Sequence, residues 1–304
     1  MMEKKPTIVV VGSLNMDIVV EADRPPLMGE TVSGTQAHFI PGGKGANQAV
    51  AAARLGARTH MIGAVGDDAF GGELMAAMQK EGIATDSIKR VADVPTGIAS
   101  ILLSQGDNSI VVVAGANAHT LPEDIDRHLA ILEAADAVLL QLEIPLETVV
   151  YTAQQAKRLG KTVILNPAPA RALPDELLQL IDVLIPNESE LYLLAGTPEG
   201  ELELAMQALL AKGVGCVVTT LGAAGAAYLQ PGDPLGRVPG RKVKVVDTTG
   251  AGDSFNAGFA YALAGGNSVP EAIHFATRVA ALAVTKLGAQ QGMPTLREVL
   301  EFTE

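Results

Sequence analysis

A mainly parallel, doubly wound α/β sheet with helices on both faces, carrying a small β-sheet as a lid, is the fold this sequence predicts. Three observations carry the expectation. Short apolar runs such as Thr7-Ile8-Val9-Val10-Val11 lack polar alternation, the pattern of strands buried on both faces of a parallel sheet. Such runs alternate with segments of helical spacing along most of the chain, as repeated β-α units do. Near the first third, two pairs of extended segments with polar interruptions break the alternation, as expected of a partly exposed antiparallel sheet.

Run 7–11 ends at Gly12 and reads as a central strand. Segments 17–21 and 31–39 flank a Pro25-Pro26 turn, and 97–103 and 109–113 flank Gly106-Asp107-Asn108, so about 15–40 and 95–114 form the lid. From Gly43, the spacing of Ala46, Val50, Ala53 and Leu55 gives a small-residue helix able to pack closely on a sheet. There follow strand 59–65, helices 69–81 and 122–133, strand 137–141, helix 146–160, strands 162–165 and 183–185, helices 188–194 and 201–212, and strand 214–219. A β-branched segment, 242–246, reads as a strand feeding helices 252–265 and 270–286. No repeat or linker divides the 304 residues, so the expectation is one α/β domain over 1–304 with the lid inserted.

Composition excludes several classes of function. A net charge of −12, 22 basic residues, no Trp and 3% aromatics offer nucleic acid neither a cationic stripe nor stacking platforms. For a phosphate-bearing ligand, so acidic a chain needs a bound cation and local N–H dipoles. The single cysteine, Cys216, lies in an apolar run and reads as a buried small hydrophobe in a reducing compartment. The start, with Glu3, Lys4, Lys5 and Pro6 before a short apolar run, is too brief for a secretion signal. Stretch 213–232 is uncharged, but Gly222, Gly225 and Pro231 break it into two strands, not a membrane span. The expectation is a cytoplasmic protein with no membrane partner.

In open sheets of this kind, ligands bind beyond the carboxyl ends of the strands. Polar turns stand at those places: 12–17, Gln141-Leu142-Glu143, Asn187-Glu188-Ser189-Glu190, Thr220-Leu221-Gly222 and Asp247-Thr248-Thr249-Gly250-Ala251-Gly252-Asp253. The last joins a glycine turn to a helix start, whose free N–H groups favour an anion, with Asp253 at its mouth. Asp253 is either a helix cap or a base that takes a proton from a hydroxyl. A second stretch, Pro41-Gly42-Gly43-Lys44-Gly45-Ala46-Asn47-Gln48-Ala49, lets a ligand approach the backbone beside a cation and an amide. Asn15 and Asp17, two apart on an extended segment, face one side and can grip vicinal hydroxyls. A Walker loop fails because Gly45 follows Lys44 and Phe39 precedes it by five, and a dinucleotide fingerprint from Gly250 fails at Phe255. There is no paired-histidine zinc spacing and no Gly-x-Ser-x-Gly elbow.

Together the stretches Gly42 to Asn47 and Asp247 to Asp253 resemble the two signatures of the ribokinase (PfkB-type) family of carbohydrate kinases, and the resemblance spans nearly the whole chain. Within that family, Asn15-Met16-Asp17, the run from Gly42 to Gln48, Gly115-Ala116-Asn117 and Gly288-Ala289-Gln290 are similar to members acting on ribose. The resemblance implies a ribokinase-like fold and ATP-dependent phosphorylation of the 5-hydroxyl of D-ribose. It implies that Asp253 is the base and that Gly250, Ala251, Gly252 and Asp253 form a backbone anion hole. Asn15, Asp17, Gly43, Lys44, Asn47 and Glu143 match sugar contacts, with Ala99 and Val112 as weaker apolar candidates on the lid. Asn187 and Glu190 match an element that organises Mg²⁺ and the phosphates through water, and Thr220 to Gly225, including Gly222, match nucleotide contacts. A potassium site falls to Asp247, Thr249, Ala283, Lys286, Gly288 and Gly292. Two positions depart from the family pattern: Thr277 stands where a His near the adenine is expected, and Gly292 where a Ser often completes the cation loop. The resemblance also implies a homodimer through the lid sheets. Rival readings are a kinase of the same family for deoxyribose, fructose or a nucleoside, a sugar-binding protein without catalysis, and a dehydrogenase.

Overall fold

The structure is a computed structural model describing residues 5–105 and 107–303, so Glu3 and Lys4 of the N-terminal start and Gly106 of the expected lid turn lie outside the described residues. Thirteen strands follow in chain order: β1 Thr7–Val11, β2 Asn15–Glu21, β3 Gln36–Gly42, β4 Arg58–Gly66, β5 Ile88–Val91, β6 Gly97–Ser104, β7 Asp107–Val113, β8 Ala137–Leu140, β9 Thr162–Leu165, β10 Val183–Leu184, β11 Val217–Thr220, β12 Ala226–Leu229 and β13 Gly236–Val238. The helices are α1 Lys44–Arg54, α2 Ala69–Lys80, α3 Pro122–Arg127, α4 Leu129–Ala134, α5 Leu146–Arg158, α6 Asp175–Leu178, α7 Glu188–Ala195, α8 Leu202–Ala211, α9 Ala251–Ala264, α10 Val269–Ala283, α11 Ala289–Gly292 and α12 Leu296–Glu301.

The main sheet has nine strands in the order β13-β12-β11-β10-β9-β8-β1-β4-β5. It is parallel from β11 to β5 and antiparallel only where β12 and β13 extend one edge. Strand β1 lies inside it between β8 and β4, as its unbroken apolar run predicts. Alternate residues of β1 serve two cores. Ile8 and Val10 pack with α1, α2, α9 and α10, whereas Val9 and Val11 pack with the helices α3 to α8 on the opposite face. The lid is a separate four-stranded sheet, β3-β2-β6-β7, in which antiparallel pairs β2–β3 and β6–β7 join through parallel β2–β6 pairing. No helix among the described residues is long and apolar enough to cross a membrane.

Four expectations are corrected. Segment 242–246 is not a strand: Val246 and Asp247 donate only to the Val284 carbonyl, so β propensity finds no partner strand. The second lid segment, expected from Thr31, begins at Gln36, because β2 ends at Glu21, which pairs with Gln36. Helix 122–133 divides into α3 and α4 at His128 (φ −120°). Asp107 and Asn108, expected in a turn, lie in β7.

Candidate active site

The N-termini of α1 and α9 converge beyond the carboxyl ends of β1, β8 and β9. Gly250 precedes α9 with φ 76°, and a Cβ there would lie 3.0 Å from Ala289, so the turn requires glycine. Asp253 is the third residue of α9 and is buried, yet it does not cap the helix, which has no side-chain cap. Its carboxylate instead turns to α1: Oδ2 accepts from Asn47 Nδ2 at 2.9 Å and Oδ1 from Gln48 Nε2 at 3.1 Å. The Ala251 N–H donates to the Thr248 carbonyl at 3.2 Å. Those of Gly252 and Asp253 have no protein partner among the described residues, leaving open donors at a helix dipole's positive end.

On one side of Asp253 lies a polar pocket. Glu143 Oε2 accepts from Ser13 Oγ, from the Lys44 N–H at 3.2 Å and from Asn15 Nδ2 at 3.4 Å. Asn15 Oδ1 in turn accepts from Asn117 Nδ2 at 2.7 Å, and Asn117 clasps the Leu14 backbone through both its amide atoms. Asp17 lies over Gly42, where a Cβ would stand 2.3 Å from Oδ2. Asp17, Ala99 and Val112 stand opposite one another across β2, β6 and β7 and share one face of the lid.

Electrostatics mark the same pocket. Burial, then the nearby carboxylates of Glu143 and Asp253, push the Asp17 carboxyl up to about 7 against the opposing pull of Lys44. Burial lowers the Lys44 pKa, but Asp253, Glu143, Glu190 and Asp17 together raise it above its ordinary value, so the ammonium stays charged. Burial raises Asp253 as well, opposed by Lys44 and by the Asn47 and Gln48 hydrogen bonds.

On the other side opens a cleft of about 1120 Å³, lined by Asn187, Thr220, Gly222, Gly225, Gly252 and Thr277 among others. Asn187 and Glu190 form a capping box on α7, with Asn187 Oδ1 accepting from the Glu190 N–H and Glu190 Oε2 from the Asn187 N–H. The Thr277 hydroxyl donates to the His274 carbonyl of its own helix, so its proton is already engaged. Irregular segment 241–245 supplies Arg241 and Lys242 to the cleft wall, cations that a strand reading of 242–246 hides.

The profile of the pfkB family carbohydrate kinases matches residues 5–296. The chain belongs to the pfkB family of carbohydrate kinases. A ribokinase of Bacillus subtilis (strain 168) is 46% identical over 295 residues, 97% of this chain and 98% of its own. A deoxyribokinase of Salmonella typhi is 36% identical over 300 residues, 97% of this chain and 98% of its own. The solved structure of Arabidopsis thaliana ribokinase complexed with ribose and ATP is similar at TM-score 0.92 and 40% identity, covering 98% of this chain and 100% of that one. As a pfkB kinase the chain is a phosphotransferase with an alcohol group as acceptor.

The donor set at the pfkB chain's expected potassium site fits a monovalent cation. A Cβ on Gly292 would lie 2.5 Å from the Ala283 carbonyl oxygen and 3.7 Å from that of Lys286, so both oxygens border one small space. Beside it, Asp247 Oδ1 accepts from the Thr249 N–H and hydroxyl, and Oδ2 accepts from the Gly288 N–H at 2.8 Å. Although burial opposes it, these bonds hold Asp247 below the usual carboxylate range, hence ionised. The Lys286 ammonium pairs with Glu298, so only the Lys286 carbonyl is available to the site. Among the described residues no group of three or more His, Cys, Asp or Glu is placed to hold a metal.

Sequence reading missed a buried set of amides behind the pfkB site. Gln48, Gln141, Asn166 and Gln290 join Asn47 and Asp253 in one hydrogen-bonded network. Ser13 and Asn117 were also missed as supports of Glu143 and Asn15. Gln48, Asn117 and Gln290 lie in stretches that carry the family resemblance, a signal that singles them out without giving them a role.

Proposed function

We propose that this chain is an ATP-dependent kinase that converts D-ribose to D-ribose 5-phosphate. The observation that carries the reading is the place of Asp253: a buried carboxylate at an uncapped helix start, between the polar pocket of Asn15, Asp17, Lys44 and Glu143 and the large cleft. The relatives named ribokinase and the neighbour complexed with ribose and ATP support the choice of substrates. Asn15 and Asp17 grip vicinal sugar hydroxyls, with Gly43, Lys44, Asn47 and Glu143 completing the contacts. Asp253 accepts the proton of the 5-hydroxyl as that oxygen bonds to the γ-phosphorus of ATP; the bond from this phosphorus to the bridging oxygen breaks and ADP leaves. The N–H groups of Gly252 and Asp253 donate to the transferring phosphoryl group, and Gly250 holds the turn that aims them. Asn187, Glu190, Thr220, Gly222, Gly225 and Thr277 hold the nucleotide in the cleft.

Magnesium bound through water to Asn187 and Glu190 would neutralise phosphate charge, and potassium held by Asp247, Thr249 and the carbonyls of Ala283, Lys286, Gly288 and Gly292 would steady the anion-binding turn. A second copy of the chain docks on the lid, where edge strand β7 exposes Ile110, Val111, Val112 and Val113. The free, buried Cys216 fits a reducing cytoplasm.

The deoxyribokinase relative favours a second reading, a kinase of the same family for deoxyribose. An ADP-release assay over ribose, deoxyribose, fructose and nucleosides tests both, with the highest kcat/KM expected for ribose; preference for another acceptor overturns the assignment. In the same assay Asp253→Asn loses turnover by about 10²–10⁴-fold while still binding ribose. Near wild-type kcat would remove Asp253 as the base.

A further inference from the structure

We propose that Gln141 and Gln290 are positioning residues that lock the amide donors of Gln48 and Asn47 onto Asp253 and thereby set the pH at which its carboxylate is available as a base. Gln48 Nε2 donates to Asp253 Oδ1 at 3.1 Å and to Asn166 Oδ1 at 3.2 Å, and its Oε1 accepts from Gln141 Nε2 at 2.6 Å. Asn47 repeats the arrangement: Nδ2 donates to Asp253 Oδ2 at 2.9 Å and Oδ1 accepts from Gln290 Nε2 at 3.2 Å. A side-chain amide turned over would aim its oxygen at the carboxylate and repel it. Gln141 and Gln290 oppose that turn, because each supplies a donor where the inner amide must keep its oxygen.

Gln290 and Asn166 are anchored in their turn, whereas Gln141 is held by its bond to Gln48 and by burial alone, its Oε1 having no partner among the described residues. Arg54 donates to the Gln290 and Met293 carbonyls and pairs with Glu81, fixing the backbone that carries Gln290. Asn166 Nδ2 donates to the Ile185 carbonyl at 3.2 Å, which keeps its oxygen toward Gln48. Gly12 leaves room for Gln141, since a Cβ there would lie 2.0 Å from Gln141 Oε1. Gln48 and Gln141 are fully buried and Gln290 nearly so, so no bulk water replaces a lost donor.

A carboxylate in this position is pulled both ways. Burial and the charges of Glu143 on the β8 turn, Asp17 on β2 and Glu190 on α7 favour its neutral form; Lys44 at the start of α1 and the two amides favour the ionised form. Once protonated, Asp253 cannot accept a proton from the substrate. Losing an amide donor therefore moves the acidic limb of the rate profile to higher pH.

The inference rests on Asp253 as the base, and the experiment separates the two ideas. Gln48→Met, Gln141→Met and Gln290→Met are compared with the wild type in kcat and kcat/KM from pH 5 to 9, using ribose and MgATP. Expected is an acidic limb raised by about one pH unit or more, with rates recovering toward wild type at high pH and an unchanged KM for ATP. Gln141→Met is the sharpest case because it retains both direct donors and removes only a group that orients one of them. A uniform fall in kcat with the limb unmoved, a wild-type profile, or loss of folded protein in all three variants by circular dichroism overturns the inference. If Asp253→Asn is inactive while the limb stays in place, the base stands and the positioning role falls; an active Asp253→Asn removes the base itself.

Discussion

Asp17 offers a prediction whose sign and size follow from its surroundings. Its carboxyl lies at about 7 in the folded chain against 3.8 for the free side chain, chiefly through burial. A group raised on folding favours the folded state below its unfolded pKa, and that contribution is lost as pH rises through about 7. Each pH unit between the two values costs about 1.4 kcal/mol, so the Asp17 titration lowers the stability of the ligand-free protein by about 2 kcal/mol at pH 5.5, where the folded carboxyl still holds its proton, and by about 4 at pH 8.5, where it is ionised. Asp17→Asn removes the titration. The stability gap between variant and wild type then widens by about 2 kcal/mol from the lower pH to the higher. For a chain of 304 residues, with an unfolding entropy of about 2.1 cal/mol/K per residue, this is a Tm difference growing by roughly 3 °C. Thermal melts of both proteins without sugar or nucleotide at the two pH values measure it, and comparing gaps cancels any pH-independent change in packing. A gap that stays constant between pH 5.5 and 8.5 refutes the reasoning. The same variant should bind ribose more weakly, since an amide presents one acceptor atom to the hydroxyls in place of two.

Two further outcomes concern the cation loop and the lid. Replacing potassium by a large organic cation should lower kcat in the wild type, whereas Asp247→Ala should be slow with or without potassium; wild-type activity without potassium would leave Asp247 and Thr249 as turn residues only. Val111→Glu places a charge on an exposed edge strand, so light scattering should show the dimer dissociating with the fold intact. A wild type that is already monomeric would count against lid pairing.

How much of the fold is legible depends on where the information lies. Segments 7–11 and 162–165 appear as β1 and β9 with the expected bounds, because continuous apolar runs mark strands buried on both faces. Strands β5 (Ile88-Lys89-Arg90-Val91) and β13 (Gly236-Arg237-Val238) escape, being short, polar and extended only through pairing with β4 and β12. Segment 242–246 fails the opposite way. Its side chains suit a strand, but it runs alongside the end of α10, where there is no ladder to join.

The site divides by a similar rule. Asp253, Lys44 and the glycines were legible because the two glycine stretches together carry the family resemblance, although an acid at a helix start is by itself an ordinary cap. Gln48 and Gln141 were not, since a glutamine becomes informative only when its neighbours are known, and Gln48 meets Asp253 across 205 positions of sequence. Burial explains why such amides are needed. An acidic chain that buries Asp17 and Asp253 near Glu143 and one lysine gives both aspartates reason to hold a proton, which suits a hydroxyl-binding group more than it suits a base. Among the described residues Asp17 accepts no protein hydrogen bond and rises to about 7, whereas Asp253 receives two buried amide donors. Neutral donors can favour the ionised form without adding a second cation beside Lys44, whose charge is left to hold the substrates. Two aspartates in one pocket can thereby serve different tasks, and the difference resides in amides that carry no charge and form no motif.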